Sequence, residues 1–524
     1  MGYLFETGKI MKKLILLILL LSSPAWGATW YVRPVTAEYG AEDGTTYATA
    51  YDGFAGVTWG VGGVVAGDTI FVCGTHKQEM TLGDSGSSGL PITIDGNCPG
   101  DPGVWDDELA ASFSAAITGT DHSYITIQNI TVTDCYRGIR WDAGAASSNI
   151  ILDNVTMSGT PTLGVLFDGS TNPITNITIK NSTFTGNGNW GDTGDVTVKF
   201  AQQIEDVLIE DNTFAGDGST TGVDAIQVAG LIDADTNATV KGFVIRRNKF
   251  SGYEENAIDL KGGLPDDASR SEIYDNEFWD NTLDIPIHYG AKQWNIYNNY
   301  FHDGTSAIQI IEQAGASTDQ GDIQVYNNLF YNYTNSILYD LYMTSAGGNK
   351  FLNNTVETVG ASEASLFTID INNDTWEIKN NIFSNTSIGQ ANKLAIRFGN
   401  DVTMGTIDLD YNLFNPYSGT AYIEIPDDST QTMAQAETNG GSGDPLLANV
   451  ADSNFRLLPQ SPAIDAGVWL SHMIKGTWRD FYQRQHIFGA NPDIGAAEAF
   501  QWKYVPGIGG IRYQVPWVSI WKTP

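Results

Sequence analysis

A short segment recurs along the middle of the chain, and its recurrence limits the folds that the chain can adopt. Eight copies carry asparagine at the fourth position, namely IEDNTF, IRRNKF, IYDNEF, IYNNYF, VYNNLF, FLNNTV, IKNNIF and LDYNLF. These asparagines are Asn212, Asn248, Asn276, Asn299, Asn328, Asn354, Asn381 and Asn412. Regular recurrence every few tens of residues is typical of a repeat architecture rather than of a single compact domain.

Each copy is followed by a second short segment in which apolar and polar residues alternate, for example AIQVA, AIDLK, DIPIH and AIQII. Such alternation predicts strands, and the Gly, Asn, Asp and Ser residues between them predict turns. One unit cannot bury its own apolar face, so neighbouring units must stack. The sequence therefore predicts an all-β parallel β-helix. We expect the repeated Asn to mark a turn, to hydrogen-bond along the stack and to adopt a left-handed backbone conformation.

This repeat resembles the right-handed parallel β-helix superfamily, which includes pectate lyases, alginate lyases and polygalacturonases. The resemblance covers roughly residues 119–430. It implies a single-stranded, right-handed solenoid.

The first residues have the pattern of a secretory signal peptide. Lys12 and Lys13 precede an apolar run over 14–21, which small residues follow. We predict a signal peptide over 1–27, and hence a secreted, cell-surface or periplasmic protein. The apolar run is too short to cross a bilayer, and we expect no membrane span.

Two further segments flank the predicted solenoid. Residues 28–118 are rich in Gly and β-forming residues, and we interpret them as an N-terminal cap with the first coils, which protects the open strand edges. Residues 431–524 contain DPLLANVADSNFRLLPQSPAIDAG and DIGAAE, which resemble the terminal module of many secreted bacterial β-helix proteins. The aromatic tail over 501–524 is interpreted as part of a cap, with sugar stacking as the alternative.

Composition limits the partners. The formal net charge is −34, which argues against nucleic-acid binding. An acidic polysaccharide would need a bridging cation or a local basic patch. Export permits a disulfide, for which Cys73 and Cys98 are the favoured pair, and Cys135 is expected to be buried and unpaired.

The outward residues of the second strand are the candidates for chemistry, because stacked coils bring equivalent residues within about 5 Å of each other. Alternation points Asp259 and Lys261 outward. One predicted column contains Asp142, Asp168, Lys199, Ala229, Lys261, His288 and Ile311. The other contains Arg140, Leu166, Thr197, Gln227, Asp259, Pro286 and Gln309.

This surface offers what β-elimination of a uronate requires, namely a base and a group that neutralises the carboxylate. Lys261 is the predicted base, provided that its pKa is lowered by burial and neighbours. His288 is predicted to be a second acid/base or a substrate ligand. The remaining predicted substrate-binding residues are Lys199, Gln227, Asp259, Gln309 and Tyr289. The candidate ligands for Ca²⁺ are Asp224, Glu254 and Asp259.

A second resemblance concerns the alginate and chondroitin lyases of the β-helix class, which use Lys on one coil and Arg–His–Gly on the next. Here AIDLKGG is followed by DIPIHYG. Lys261 matches the lysine, whereas His288 stands in place of the arginine and Tyr289 in place of the histidine.

The chain is thus predicted to be a polysaccharide-active protein, and foremost a lyase that cleaves a uronic-acid-containing polysaccharide by β-elimination with a Lys base. The first alternative is a carbohydrate-binding or adhesion protein without catalysis, because the fold alone does not define a function. The other alternative is a glycoside hydrolase, since acidic residues are plentiful.

Overall fold

The computed structural model describes residues 27–35, 39–106, 115–160, 162–187, 195–218, 222–229, 240–262, 270–311, 321–341, 348–358, 365–370, 375–385, 394–399, 402, 406–415, 423–425, 429–431, 437–473, 478–484 and 491–499. Almost all of the predicted signal peptide and the aromatic tail over 501–524 lie outside these residues.

The regular elements of the described chain are almost all strands. The first are β1 (Thr29–Arg33), β2 (Tyr51–Asp52), β3 (Thr69–Val72), β4 (Thr75–His76), β5 (Met80–Thr81), β6 (Ile92–Asp95), β7 (Val104–Asp106), β8 (Ala115–Thr120), β9 (Ile125–Gln128), β10 (Thr131–Thr133), β11 (Arg137–Asp142), β12 (Ser147–Asp153), β13 (Thr156–Ser158), β14 (Leu163–Lys180) and β15 (Thr183–Thr185). The central ones are β16 (Asp195–Glu210), β17 (Thr213–Ala215), β18 (Val223–Ala229), β19 (Val240–Arg246), β20 (Lys249–Ser251), β21 (Asn256–Lys261), β22 (Ser271–Tyr274), β23 (Glu277–Trp279), β24 (Leu283–His288), β25 (Trp294–Tyr297), β26 (Tyr300–His302), β27 (Ser306–Ile311), β28 (Gln324–Tyr326), β29 (Leu329–Tyr331) and β30 (Ser336–Leu341). The last are β31 (Asn349–Leu352), β32 (Thr355–Thr358), β33 (Ser365–Asp370), β34 (Trp376–Lys379), β35 (Ile382–Asn385), β36 (Leu394–Phe398), β37 (Ile407–Asp410), β38 (Leu413–Phe414), β39 (Ile423–Ile425), β40 (Ser429–Gln431), β41 (Gly441–Ser442), β42 (Leu447–Asn449) and β43 (Asn454–Leu457). Single-turn 3-10 helices lie at Tyr47–Thr49, Phe54–Gly56 and Val450–Asp452.

The strands form the three faces of a parallel β-helix, which confirms the predicted fold. The first face stacks β8, β11, β14, β16, β18, β21, β24, β27, β30, β33 and β36. The second face stacks β9, β12, β14, β16, β19, β22, β25, β28, β31, β34 and β37. The third face is a separate sheet that runs from β4 to β41. β14 and β16 continue through two faces, so the first and second faces belong to one sheet.

Like residues stack on like residues inside the solenoid, because equivalent strands of successive coils are in register. The longest aromatic stack joins Phe184, Phe214, Phe250, Phe278, Phe301 and Phe330, with ring centroids 4.7–4.9 Å apart. All six side chains are fully buried. Offset stacking of this kind adds stabilisation to the burial of each ring.

The repeated asparagines form a hydrogen-bonded ladder, as predicted. Asn299 is representative. The Oδ1 atom of Asn299 accepts two hydrogen bonds from Asn276, one from the backbone N–H and one from Nδ2, each at 3.0 Å. Its Nδ2 donates to Ile273 O at 2.8 Å and to Asn328 Oδ1 at 3.1 Å. The ladder ends at Asn412, whose backbone N–H and Nδ2 donate to the carboxylate of Glu437 at 3.1 and 2.8 Å. The ladder thus satisfies polar groups in an interior that water does not reach.

The expectation that the ladder asparagines themselves adopt a left-handed backbone conformation was wrong. The residue before each of them has the positive φ, between 52° and 59°, at Asp211, Arg247, Asp275, Asn298, Asn327, Asn353, Asn380 and Tyr411. The turn is therefore made one residue earlier, and the next residue points inward. Asp and Asn tolerate this backbone region best, which explains why they occupy six of the eight positions.

The described part of the C-terminal module, 437–473, 478–484 and 491–499, lies along the flank of the solenoid. Phe455 and Phe481 pack against Tyr300 and Leu329 of the third face. Leu470 and Trp478 belong to a cluster with Leu352 of the second face. Asn380 Nδ2 donates to Val468 O at 2.7 Å, and Ala496 N–H donates to Thr355 Oγ1 at 3.0 Å. Several coils are therefore joined to one C-terminal segment.

The cysteines are arranged as predicted. Cys73 and Cys98 form a disulfide within the N-terminal segment. Cys135 is buried and forms no disulfide.

A buried carboxyl group inside the solenoid predicts a pH-dependent stability. Burial raises the pKa of Asp284 to about 7, against the opposing hydrogen bonds from Tyr333 and Asn281. Because the folded-state pKa lies above the unfolded one, this carboxyl stabilises the fold fully below about pH 4 and loses its contribution as the pH rises to about 7. The loss is on the order of 4 kcal/mol. Asp284→Asn keeps an acceptor for Asn281 Nδ2, which now donates to Asp284 Oδ1 at 2.9 Å.

Asp284→Asn is therefore expected to flatten the pH dependence of unfolding by urea between about pH 4 and 7. The midpoints of the wild type and the variant are compared at several pH values in this window. Parallel pH profiles for the two proteins would contradict the assignment.

Candidate functional site

The outward residues of the first face form two columns at the predicted candidate site. Lys261 pairs with Ala229 on one side and with His288 on the other. Gln227 pairs with Asp259 in the second column. The prediction that Lys261 and His288 are neighbours on consecutive coils is confirmed.

The predicted register of Lys199 was wrong by two residues. Lys199 pairs with Gln227, so it lies in the column of Asp259 rather than in that of Lys261. The ring of Phe200 stacks on that of Phe167, with centroids 5.6 Å apart and planes inclined by 6°. This inward aromatic pair fits the observed register. Thr197, which was expected to point outward, is fully buried.

Asp259 is the centre of the site. Its Oδ1 lies 2.5 Å from His288 Nε2, and its Oδ2 forms an ion pair with Lys261 Nζ. The Asp259 side chain is only 1% exposed, whereas Lys261 and His288 are 18% and 14% exposed. The carboxylate therefore lies beneath the two basic groups and holds both of them at the surface.

The opposite charges in this cluster stabilise each other. Burial raises the pKa of Asp259, but the hydrogen bond and charge of His288, together with Lys261, outweigh it and lower the pKa. Burial lowers the pKa of Lys261, but the Asp259 carboxylate outweighs it and raises the pKa. This direction is opposite to the one on which a Lys261 base depends. Lys261 is thus held as a cation and Asp259 as an anion.

The ionised state of Asp259 also determines the tautomer of a neutral His288. A carboxylate only accepts hydrogen bonds, so the proton of the imidazole lies on Nε2. The lone pair then lies on Nδ1, to which no residue in the described part of the chain forms a hydrogen bond. A carboxylate that fixes an imidazole in this way orients a general base.

Asp224 lies under the same surface, at the start of β18. Gln227 Nε2 donates to Asp224 Oδ2 at 3.0 Å and approaches Asp259 Oδ2 at 3.4 Å. Asn256 Nδ2 donates to Asp224 Oδ1 at 2.7 Å. Burial raises the pKa of Asp224 well above its ordinary value, and the charges of Asp259 and Glu255 raise it further. The amide of Gln227 therefore joins a carboxyl group with a raised pKa to one with a lowered pKa.

Lys199 differs from Lys261 in its surroundings. Burial and the charge of Lys261 lower the pKa of Lys199, against the opposing effects of Asp224, Asp168 and Asp259. The described residues provide no ion pair for its ammonium group. Lys199 therefore adds positive charge to the site without a fixed partner.

The remaining predicted residues surround this cluster. Gln309 follows Pro286 in the column of Asp259. Tyr289 comes directly after β24, with φ of 53°, and its ring centroid lies 4.9 Å from that of His288. Glu254 is exposed in the turn before β21. Asn256 was not singled out from the sequence, because nothing in the repeat distinguishes it from the other polar residues that begin a strand.

Two of the three residues that were predicted to bind Ca²⁺, Asp224 and Asp259, are engaged with protein groups. Both oxygens of Asp224 accept from amide groups, and both oxygens of Asp259 contact basic groups. Over the described ranges, no three His, Cys, Asp or Glu side chains are grouped so as to hold one metal ion. Calcium binding by Asp224, Glu254 and Asp259 remains a prediction, and the observed arrangement does not favour it.

These observations define the protein as a parallel β-helix with a charged site on one face. The family model of the periplasmic copper-binding protein NosD matches residues 110–317. Comparison with curated proteins gives no match.

Solved structures with a similar fold include several polysaccharide-processing enzymes. An alginate lyase from Paenibacillus sp. str. FPU-7 shares 14% identity, over 72% of this chain and 99% of that chain, with a TM-score of 0.40. Pectate lyase Pel9A shares 14% identity over 92% and 98%, with a TM-score of 0.40. A PL6 family alginate lyase shares 16% over 79% and 57%, with a TM-score of 0.49. At these values the similarities carry no argument about chemistry.

In the part of the chain that the structure describes, no helix has the length and apolar character needed to cross a bilayer.

Proposed function

We propose that this protein is a polysaccharide lyase that cleaves a uronic-acid-containing polysaccharide by β-elimination at the Asp259 cluster. The observation that carries the proposal is the contact of one buried carboxylate, Asp259, with both His288 and Lys261. This arrangement places a potential base beside a fixed cation. We further propose that the protein acts outside the cytoplasm, since the predicted signal peptide implies export.

The base that we assign is His288 rather than Lys261. The raised pKa of Lys261 keeps it protonated, which suits it to bind the carboxylate of the sugar and to stabilise the negative charge that develops there. Lys199 has a lowered pKa, but it makes no contact with the Asp259 carboxylate. We therefore assign Lys199 to binding a substrate carboxylate, because its ammonium group forms no ion pair among the residues that the structure describes.

The reaction then follows from these positions. His288 Nδ1 removes the proton from the carbon next to the carboxylate while Lys261 stabilises the negative charge on that carboxylate. The electron pair of the broken C–H bond forms a double bond as the bond to the glycosidic oxygen breaks. The leaving oxygen takes up a proton from solvent water, and the imidazolium of His288 later returns its proton to the solvent. Asp259 positions the imidazole and supports its positive charge after proton transfer.

Burial argues against the hydrolase alternative. Asp224 and Asp259 have pKa values displaced in opposite directions, as a glycosidase pair requires. However, Asp224 is 2% exposed and Asp259 fully buried. A general acid and a nucleophile must contact the glycosidic bond, and these side chains do not reach the surface.

The function is tested with the mature protein and a panel of pectate, alginate and unsulfated glycosaminoglycans, each with added Ca²⁺ and with a chelator. We expect ultraviolet absorbance from an unsaturated uronate product with at least one polymer. New reducing ends without that absorbance would contradict elimination and indicate hydrolysis. Binding without either product would favour the adhesion alternative.

Lys261→Gln is expected to lower kcat by about 10²- to 10³-fold, because the charge that stabilises the transition state is lost. Lys379→Gln is the matched control, since Lys379 pairs with Asp408 on the second face. Initial rates and circular dichroism are measured for both variants. A wild-type rate in Lys261→Gln would refute the assignment of this cation.

A further inference from the structure

A cavity of about 320 Å³ lies next to the Asp259 cluster, at the amino ends of β21, β24, β27 and β30. Its lining includes Glu254, Glu255, Asn256, Ser306, Gln309 and Asn335. Its volume is near the lower end of the range for small-molecule sites, which suits a single sugar unit better than an extended ligand.

The lining is rich in amides and hydroxyl groups and carries negative charge only. Asn256, Gln309 and Asn335 provide amides, and threonine and serine residues provide hydroxyls. Such groups both donate and accept hydrogen bonds, as do the hydroxyls and acetamido groups of sugars. The charged residues among those that line the cavity are Glu254 and Glu255, both of which are exposed.

The cavity lies close to the reacting groups. Glu255 interacts electrostatically with Lys261, Asp259 and His288. Gln309 lies in β27, the strand that pairs with the strand of His288. The register partner of His288 is Ile311, which is two residues from Gln309 along β27. Strand spacings therefore place the Cα atoms of Gln309 and His288 roughly 8 Å apart. A polysaccharide bound at His288 thus has its next units within reach of the cavity.

We propose that this cavity is a subsite for an uncharged sugar unit, so that the substrate is a heteropolysaccharide in which uronate alternates with a neutral sugar. This inference rests on the proposed function. The uronate binds where Lys261 and Lys199 supply positive charge. A second carboxylate in the cavity would face Glu254 and Glu255 with no basic group among the lining residues, and like charges close together are unfavourable.

The test uses His288→Ala in the full chain, so that binding is measured without turnover. The probes are hyaluronan, in which glucuronate alternates with N-acetylglucosamine, and polygalacturonate, which carries a carboxylate on every unit. We expect at least about tenfold tighter binding of hyaluronan by calorimetry, or about 1.4 kcal/mol. Equal affinities, or a preference for polygalacturonate, would overturn the proposal.

Charge reversal tests the same idea within the cavity. Glu254→Lys in the His288→Ala background is expected to strengthen polygalacturonate binding by about tenfold relative to Asp106→Lys. Asp106 is exposed at the end of β7 on the third face, so that the control makes the same change in net charge. Equal effects of the two substitutions would also overturn the proposal.

The two proposals can fail separately. Selective binding of hyaluronan without an unsaturated product would refute the proposed lyase activity and support the proposed subsite. Elimination with a higher kcat/KM on polygalacturonate than on hyaluronan would refute the proposed subsite and support the proposed lyase activity.

Discussion

His288→Ala is expected to lower the rate of β-elimination by about 10²- to 10⁴-fold, the range in which a positioned general base contributes to catalysis. The substitution removes Nδ1, and the Asp259 carboxylate keeps its ion pair with Lys261. The affinity for substrate is therefore expected to change much less than kcat. Initial rates from the absorbance of the unsaturated product give kcat and KM for the wild type and the variant.

His302→Ala is the matched control for this experiment. His302 is also a partly buried histidine that contacts carboxylates, with Nδ1 2.9 Å from Asp303 Oδ2 and Nε2 3.4 Å from Glu277 Oε1. It lies on the third face, away from the proposed site. Added imidazole is expected to restore part of the activity of His288→Ala and to leave the activity of His302→Ala unchanged. Full activity in His288→Ala, or equal losses in both variants, would refute the base.

Asn299→Ala is expected to destabilise the fold by roughly 3–5 kcal/mol, because it leaves several buried polar groups without partners. The N–H and Nδ2 groups of Asn276 would lose their acceptor, and Ile273 O would lose a donor. The ladder is then interrupted in the middle of the solenoid. Urea unfolding followed by circular dichroism measures the change in the midpoint.

Asn295→Ala is the control for the ladder variant. Asn295 lies on the outer surface of β25, where its Oδ1 accepts a hydrogen bond from Arg270 Nε and its side chain hydrogen-bonds to Glu272. Its loss is expected to cost about 1 kcal/mol. A ladder variant as stable as this control would show that the amides contribute little beyond ordinary surface hydrogen bonds.

The sequence was sufficient for the fold because its main signal is repeated. Eight asparagines at one position of a strand-forming unit require equivalent places in successive coils, and the ladder has this arrangement. What the pattern could not reveal was the turn geometry. The positive φ belongs to the residue before each ladder asparagine, and Asp, Asn, Arg and Tyr all occur there, so the composition of that position was less informative.

The candidate site was only partly predictable, because it depends on contacts that cross coils. Alternation placed Asp259, Lys261 and His288 on the outside. The predicted position of Lys199 was wrong because β16 continues from the first face into the second, and its register follows the stacking of Phe200 on Phe167. The pKa of Lys261 could not be foreseen, since its direction depends on whether Asp259 or burial has the larger effect.

The flank on which the C-terminal module packs has a consequence for how the solenoid comes apart. In a stack of coils each coil contacts its immediate neighbours, so an open end can fray one coil at a time. Here one segment is fastened to Tyr300, Thr355 and Asn380, which belong to different coils. Any of these coils can open only if its contacts with the C-terminal segment break. Unfolding from the C-terminal side is therefore expected to be one cooperative transition rather than a stepwise loss of single coils.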